Sequence, residues 1–115
     1  MVGYSDKVSM NTIKFNVVIL EEAENDITDG IIWYESAQID LGKDFFKSID
    51  ESIAFISVNP QCSQEIYKNI RRLIIRKFPY GIYYKVNLLT KEIEIIGVIH
   101  FKRNVRIMKQ RARKF

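Results

Sequence analysis

The chain has 115 residues and a formal net charge of +4, with 47% hydrophobic and 28% charged residues. This length predicts one domain with a sizeable core, and no apolar run approaches the roughly 18 residues of a membrane span, so we expect a cytoplasmic protein. The single cysteine, Cys62, excludes an intrachain disulfide and a cysteine-rich metal site, and we interpret it as an unreactive loop thiol.

Acidic and basic residues are concentrated in different parts of the chain. Residues 21–51 contain ten acids and two bases, whereas residues 66–91 contain seven bases and no acid. The tail, residues 102–114, adds seven bases and again no acid. Such segregation favours an encounter with nucleic acid or an acidic partner, and the alternative is that these are simply solvated faces.

The first half of the chain predicts one strand and two helices. Residues 1–13 carry no secretory pattern and are expected to form a loose arm before a single domain at 14–115. Residues 14–20 are β-branched and apolar, which predicts a strand, and the acidic run behind them suits a helix N-terminus. Apolar residues then recur at helical spacing over about fifteen residues, with Trp33 assigned to the core. After Leu41-Gly42 a second helix carries the stripe Phe45, Phe46, Ile49, Ile53 and Ile56.

The second half of the chain predicts a β-meander. Asn59-Pro60 ends the second helix, and residues 68–75, 80–86 and 92–100 predict three consecutive strands. In the last strand Ile93, Ile95 and Ile99 are expected on one face, with His100 pointing away from the more apolar face. The predicted fold class is α+β in the order β-α-α-β-β-β, with the helix hairpin packed on a small, mainly antiparallel twisted sheet and a basic C-terminal helix or arm.

Several kinds of chemistry lack their usual residues. The chain contains no Gly-rich phosphate loop, no Cys/His metal spacing and no second histidine, so we expect neither a metal nor a cofactor. Metal-independent RNA cleavage remains compatible with the meander, because Arg72, Arg76 and Arg103 could stabilise charge on phosphorus and His100 could titrate near neutrality. The tyrosines Tyr80, Tyr83 and Tyr84 could stack unpaired bases, although tyrosines in strands also simply pack.

The order of elements and a set of short motifs resemble the RelE/ParE superfamily of toxins from bacterial type II toxin–antitoxin modules. The resemblance extends from about residue 14 to 111. It rests on Ala23, Leu41-Gly42 with Phe45-Phe46, Asn59-Pro60, Ile70-Arg71-Arg72, Phe78-Pro79-Tyr80, Ile82-Tyr83-Tyr84, His100, Arg103 and Arg111. The resemblance implies the two-helix, antiparallel-sheet fold predicted above.

The resemblance implies one of two activities. RelE-like members cut messenger RNA in the ribosomal A site, and ParE-like members poison DNA gyrase by binding. The sequence departs from the RNA-cutting pattern at two places. Gly81 stands where that pattern has an arginine after the tyrosine that opens the next strand. In the tail, Met108 and Lys109 stand where the pattern has a tyrosine. Losing two such groups would cost roughly 10²–10⁴-fold each, which favours the ParE-like branch, as does the Phe-Pro-Tyr turn.

The resemblance therefore predicts a ParE-like growth inhibitor that acts on gyrase. The alternatives are a ribosome-dependent mRNA endonuclease with a rearranged site and a degenerate, non-toxic homologue. In the endonuclease, Arg72, Tyr80, His100 and Arg103 would share the catalytic work. The residues expected to contact a target or nucleic acid are Arg71, Arg76, Lys77, Tyr84, Arg106 and Arg111.

The expected partners follow from the same resemblance. They are a cognate antitoxin, small, acidic and encoded by an adjacent gene, and either gyrase or the ribosome with its mRNA. A dimer or a toxin–antitoxin hetero-oligomer is possible, and no membrane is involved.

Overall fold

The fold is an α+β sandwich of one helix hairpin on one sheet, as the sequence predicts. The computed structural model describes residues 13–102 and 109–111. The elements are β1 (Asn16–Ile19), α1 (Glu21–Ala37), α2 (Leu41–Val58), β2 (Glu65–Tyr67), β3 (Ile70–Ile74), β4 (Tyr80–Asn87) and β5 (Glu92–His100). The sheet order is β1-β5-β4-β3-β2, in which β1 is parallel to β5 and the other neighbours are antiparallel. Residues 109–111 are helical.

The helix hairpin connects β1 to β2, at opposite ends of the sheet, and covers one face of the sheet. The acidic first turn of α1 suits a helix N-terminus, where carboxylates interact favourably with the helix dipole. Between the helices, Asp40 adopts a left-handed backbone conformation with φ of 71°. Glu35 accepts hydrogen bonds from the N–H groups of Asp40 and Gly42 at 3.0 and 3.1 Å, which fixes the turn. The second helix ends before Pro60, as predicted.

Two glycines let the helices approach each other closely. A Cβ atom at Gly30 would lie 2.5 Å from Cε2 of Phe45, and one at Gly42 would lie 2.6 Å from the carbonyl oxygen of Ile31. The ring of Phe45 is therefore seated against bare backbone at the centre of the hairpin. The core between the helices and the sheet consists mainly of Ala23, Ile27, Phe45, Ile49, Ile56, Ile82, Tyr84, Ile93, Ile95 and Val98.

A short strand, β2, was not predicted. The predicted strand at 68–75 begins later, at Ile70, because Lys68 and Asn69 form a tight turn with φ of 36° and 69°. Asparagine tolerates this left-handed region better than most residues, so the turn had a weak signal in Asn69. The turn folds residues 65–67 back along the start of β3.

A bulge in β5 reverses the predicted facing of its second half. Two adjacent residues of β4 pair with residues of β5 that lie two positions apart, which leaves Ile96 as the extra residue. Val98 therefore joins the core under the helices, while Ile96 and Ile99 face the opposite side of the sheet. The prediction that placed Ile99 with Ile93, and turned His100 away from the larger apolar face, was wrong. His100 lies on the helix side with Val98.

Two aromatic residues assigned to the core are exposed instead. Trp33 is 67% exposed and Phe46 is 50% exposed. Each lies one or two residues after a residue of the apolar stripe of its helix. Because a helix turns by about 100° per residue, neither side chain belongs to the stripe that faces the sheet.

Candidate functional site

The sheet divides the predicted site residues between its two faces. Arg72 pairs with Tyr83, and both lie on the face away from the helices, with Ile70, Ile96 and Ile99. Tyr80 pairs with His100, and both lie on the helix side. Three of the four residues proposed for RNA cleavage are described, and these three do not lie on one face of the sheet. Arg103, the fourth, and Arg106 lie outside the described residues.

Tyr80 and His100 belong to an aromatic cluster at one end of the sandwich. Their ring centroids are 5.2 Å apart in an edge-to-face arrangement, and Tyr80 also packs on Phe45 at 4.9 Å. Tyr34 and Phe78 complete the cluster with a centroid distance of 4.8 Å, and burial raises the pKa of the Tyr34 hydroxyl. Nδ1 of His100 accepts a hydrogen bond from the Lys102 N–H at 3.0 Å. The histidine is thus held by both packing and the backbone.

The aliphatic part of Arg72 occupies the space beside Gly81. A Cβ at Gly81 would lie 3.0 Å from Cγ and 3.1 Å from Cδ of Arg72, and 3.3 Å from Cε1 of Tyr83. A side chain at position 81 would therefore require the flexible stem of Arg72 to shift by a few tenths of an ångström.

Tyr84 and Arg71 are both hydrogen-bonded to the loop that follows α2. Tyr84 is fully buried, donates to the Pro60 carbonyl at 3.1 Å and shares a hydrogen bond of 2.7 Å with the Ser63 hydroxyl. Burial raises the pKa of Tyr84 to about 12. Arg71 donates to the carbonyl oxygen of Ser63 in the same loop. In this conformation Tyr84 has no face on which a base could stack.

Arg111 is held against the first helix. Its guanidinium contacts both carboxylate oxygens of Asp26, at 2.6 and 3.2 Å, and approaches Glu22 at 3.7 Å. These hydrogen bonds to Asp26 raise the pKa of Arg111 further, against the opposing effect of burial. Asp26 also accepts from the N–H of Val98 at 3.0 Å. Sequence reasoning missed Asp26, although its four-residue spacing from Glu22 puts both acids on one helix face.

Arg76 and Lys77 border a groove between α2 and the outer edge of β3. The groove has a volume of about 740 Å³. Phe55, which is half exposed, lines it from the helix, and the partly buried Leu73 lines it from the strand. The remaining charged lining residues are Asp44, Lys47 and Glu51. The groove is therefore apolar at its centre and carries both signs of charge at its rim.

The same edge of β3 exposes backbone groups. Arg72 donates its N–H outward to Gln64, and Ile75 donates inward to Tyr80, so the alternation along the strand turns the N–H and C=O of Ile74 outward. The paired residues of β2 end opposite Arg71, and in the described part of the chain no strand lies beside Ile74. This half of β3 is an open sheet edge.

Two further properties bear on the kind of site. Within residues 13–102 and 109–111 no three histidine, cysteine, aspartate or glutamate side chains come together to hold a metal ion. No helix in the described part of the chain is long and apolar enough to cross a membrane.

Among known proteins, solved structures match this chain, whereas no protein-family model and no curated protein matches it. A chain of the chromosomal ParDE toxin–antitoxin system from P. aeruginosa matches with a TM-score of 0.63 and 18% identity, over 76% of this chain and 96% of that one. The RelBE2 toxin–antitoxin complex from Mycobacterium tuberculosis matches with a TM-score of 0.53 and 12% identity, over 76% and 99% of the two chains. A free mutant of the E. coli toxin RelE matches with a TM-score of 0.57 and 8% identity, over 90% and 99%.

These similarities are in structure and hardly in sequence. They establish that the chain has the fold of these toxin structures, which confirms the fold that the resemblance implies.

Proposed function

We propose that this protein is the toxin of a bacterial type II toxin–antitoxin module and that it inhibits growth by binding DNA gyrase, in the manner of ParE. The observation that carries the proposal is the division of the RNA-cutting residues, with Arg72 on one face of the sheet and Tyr80 and His100 on the other. General acid–base catalysis needs its groups within hydrogen-bond reach of one substrate. A surface that binds has no such requirement.

The state of position 81 supports the same branch. A second phosphate-binding cation is missing there, and the stem of Arg72 packs closely beside the bare backbone. Similarity to a ParDE structure over most of both chains agrees with this reading. We place the protein in the cytoplasm, where its proposed target is found.

The test is a supercoiling assay with purified gyrase and relaxed plasmid. We expect the protein at micromolar concentration to inhibit supercoiling and to trap a cleaved DNA–gyrase complex. Heat-unfolded protein serves as the control for the effect of a basic polypeptide on DNA. Unchanged supercoiling and no trapped complex, with a protein that stops growth when expressed, would contradict the proposed target.

A second candidate is a ribosome-dependent mRNA endonuclease, favoured by the contact between Tyr80 and His100 beside a cavity of about 210 Å³. In that case expression would produce cuts at codon positions in ribosome-bound message. His100→Ala should then reduce cutting strongly, and Arg72→Ala, on the other face, should reduce it less. Intact message in growth-arrested cells would exclude this activity, and a protein without effect in either assay would be the non-toxic homologue.

We further propose that the groove beside β3 receives an extended segment of the cognate antitoxin. An added strand could pair with the outward backbone groups of Ile74 and cover Phe55 with one of its own side chains. Acidic residues of a small antitoxin would complement Arg76 and Lys77 and speed association. Co-purification of the adjacent gene's product with this chain tests whether such a complex forms.

A further inference from the structure

A second cavity lies on the other side of the helix layer, where α1 meets the ends of β4 and β5. Its volume is about 210 Å³, and we call it the α1 pocket. Its lining residues are Asp26, Asp29, Gly30, Trp33, Tyr80, Val98 and His100. The pocket combines carboxylates with aromatic rings, which is an unusual lining for an apolar partner and an unfavourable one for a phosphate group.

The first helix already binds one guanidinium next to this pocket. Glu22, Asp26, Asp29 and Trp33 are spaced by four, three and four residues, so they follow one face of α1. Arg111 occupies the first half of this face, with a bidentate contact to Asp26 and a longer one to Glu22. The planar, forked guanidinium of Arg111 thus pairs with the carboxylate of Asp26, which the backbone N–H of Val98 holds in place.

The second half of the face offers the same chemistry without a guanidinium in the described part of the chain. Asp29 lies one turn after Asp26 and is exposed. No basic side chain within residues 13–102 and 109–111 forms an ion pair with it. Trp33 follows after one more turn and is 67% exposed. A carboxylate one turn from an exposed indole can pair with a cation while the ring stacks on its flat face.

The opposite wall of the pocket is aromatic. It consists of the rings of Tyr80 and His100, and Nδ1 of His100 accepts a hydrogen bond from the Lys102 N–H. The rings of Tyr80 and His100 are fixed edge to face, which gives the wall a defined shape. A flat, weakly hydrated guanidinium suits such a slot better than a compact, strongly hydrated ammonium.

From these contacts we infer that the α1 pocket binds an arginine side chain presented by a partner protein, with Asp29 pairing the guanidinium and Trp33 stacking on it. The surface is distinct from the groove beside β3, because the two share no lining residue. The inference does not rest on the proposed function, because no step of it uses gyrase, RNA or an antitoxin.

Trp33 makes the test direct, because it is the only tryptophan of the chain. The probe is the peptide acetyl-Leu-Arg-Leu-amide, titrated into the full chain while the indole fluorescence and the indole N–H resonance of Trp33 are followed. The matched peptides replace arginine with citrulline, which keeps the shape without the charge, or with lysine. We expect saturable changes with the arginine peptide and about tenfold weaker binding of the citrulline peptide.

Two variants test whether the carboxylate of Asp29 is the charge that pairs with the arginine of the peptide. Asp29→Asn should weaken the arginine peptide about fivefold. Asp50→Asn makes the same chemical change at an exposed position of α2 and should leave binding as in the parent chain. Both sites are exposed, so both variants are expected to fold, and circular dichroism checks this.

The contrary outcomes are equally definite. Equal loss in the two variants, or equal binding of the citrulline peptide, would overturn the site, because general electrostatics or apolar contact would then account for the signal. Equal binding of the lysine peptide would overturn the assignment to arginine. A dimer in sedimentation that Asp29→Asn dissociates would show that a second copy of this chain is the occupant, which also contradicts the inference.

Discussion

At the scale of single residues, Asp26 has the most consequences, because its carboxylate ties together α1, β5 and the segment that carries Arg111. It accepts from the Val98 N–H and pairs with a guanidinium, and both side chains of the pair are largely buried, at 9% and 12% exposure. Hydrogen bonds to a charged group contribute about 1.5–3 kcal/mol each, and an unpaired buried charge adds to the loss. We predict that Asp26→Asn lowers the free energy of unfolding by about 2–3 kcal/mol in urea denaturation.

The matched control is Asp29→Asn, the same change one turn later at an exposed position. It should alter the free energy of unfolding by no more than about 0.5 kcal/mol. Equal effects of the two variants would mean that Arg111 does not hold the fold through Asp26.

Tyr84 predicts a dependence of stability on alkaline pH. Its pKa rises from 10.0 to about 12 on folding because the hydroxyl is buried, so the folded state keeps a proton that the unfolded state loses. The stabilisation is therefore complete below pH 10 and is lost as the pH rises through the folded value. Between pH 9 and 11 we expect Tyr84 to contribute a loss of about 1.4 kcal/mol, which corresponds to one pKa unit.

Urea denaturation of the parent chain and of Tyr84→Phe at each pH isolates this contribution, because every other titrating group is common to both. The parent should be the more stable protein at pH 8, by about 1 kcal/mol for the lost hydrogen bonds, and this advantage should vanish near pH 11. A difference that stays constant with pH would contradict the raised pKa.

At the scale of elements, the contact between the helices depends on a glycine. Alanine is a better helix former than glycine by about 1 kcal/mol, yet its Cβ at position 30 would lie 2.5 Å from the buried ring of Phe45. We predict that Gly30→Ala destabilises the protein by about 1–3 kcal/mol, because overpacking outweighs propensity. Asn25→Ala, at an exposed position of the same helix, should be neutral or slightly stabilising.

A smaller side chain at position 45 tests whether a clash with the Phe45 ring causes the loss of stability. In Gly30→Ala combined with Phe45→Leu, the smaller side chain gives room to the new methyl group. The double variant should therefore be more stable than the sum of the two single changes predicts. Strict additivity would show that the helices separate rather than clash.

The sequence predicts elements whose signal is periodic and misses features set by pairing. The stripes of the two helices and the three long strands follow from spacing alone. The bulge at Ile96 does not, since it exists only in relation to β4, and it moves Val98 and His100 to the helix side. For the same reason the sequence offers Arg72 and His100 as candidates for one site, whereas the sheet places them on opposite faces. Trp33 was assigned to the core because apolar character does not reveal which turn of a helix meets the sheet.

At the scale of the whole molecule, the helix layer offers two separate surfaces. The groove beside β3 has an open strand edge with Arg76 and Lys77 at its rim, and the α1 pocket at the other side is acidic and aromatic. The carboxylates of the α1 pocket are Asp26 and Asp29, whereas the rim of the groove carries both signs of charge. A protein with such sides can hold two partners at once, and a change at one side should leave the other intact.

This separation leads to a prediction about the proposed antitoxin. Ile74→Pro removes an outward N–H that no strand uses in the described part of the chain, and proline is tolerated at such sheet edges. If an antitoxin strand adds there, the variant should bind the adjacent gene's product about tenfold more weakly, because it loses a backbone hydrogen bond and an apolar contact. Growth arrest should persist in Ile74→Pro but should no longer be relieved by co-expression of that product.

Ile74→Val is the matched control, since it keeps the N–H and most of the side chain, and it should be relieved as well as the parent chain. Relief of Ile74→Pro to the same extent would place the antitoxin elsewhere, whereas loss of growth arrest in that variant would mean that the edge contacts the target. The two readouts therefore separate docking of the partner from the toxic activity.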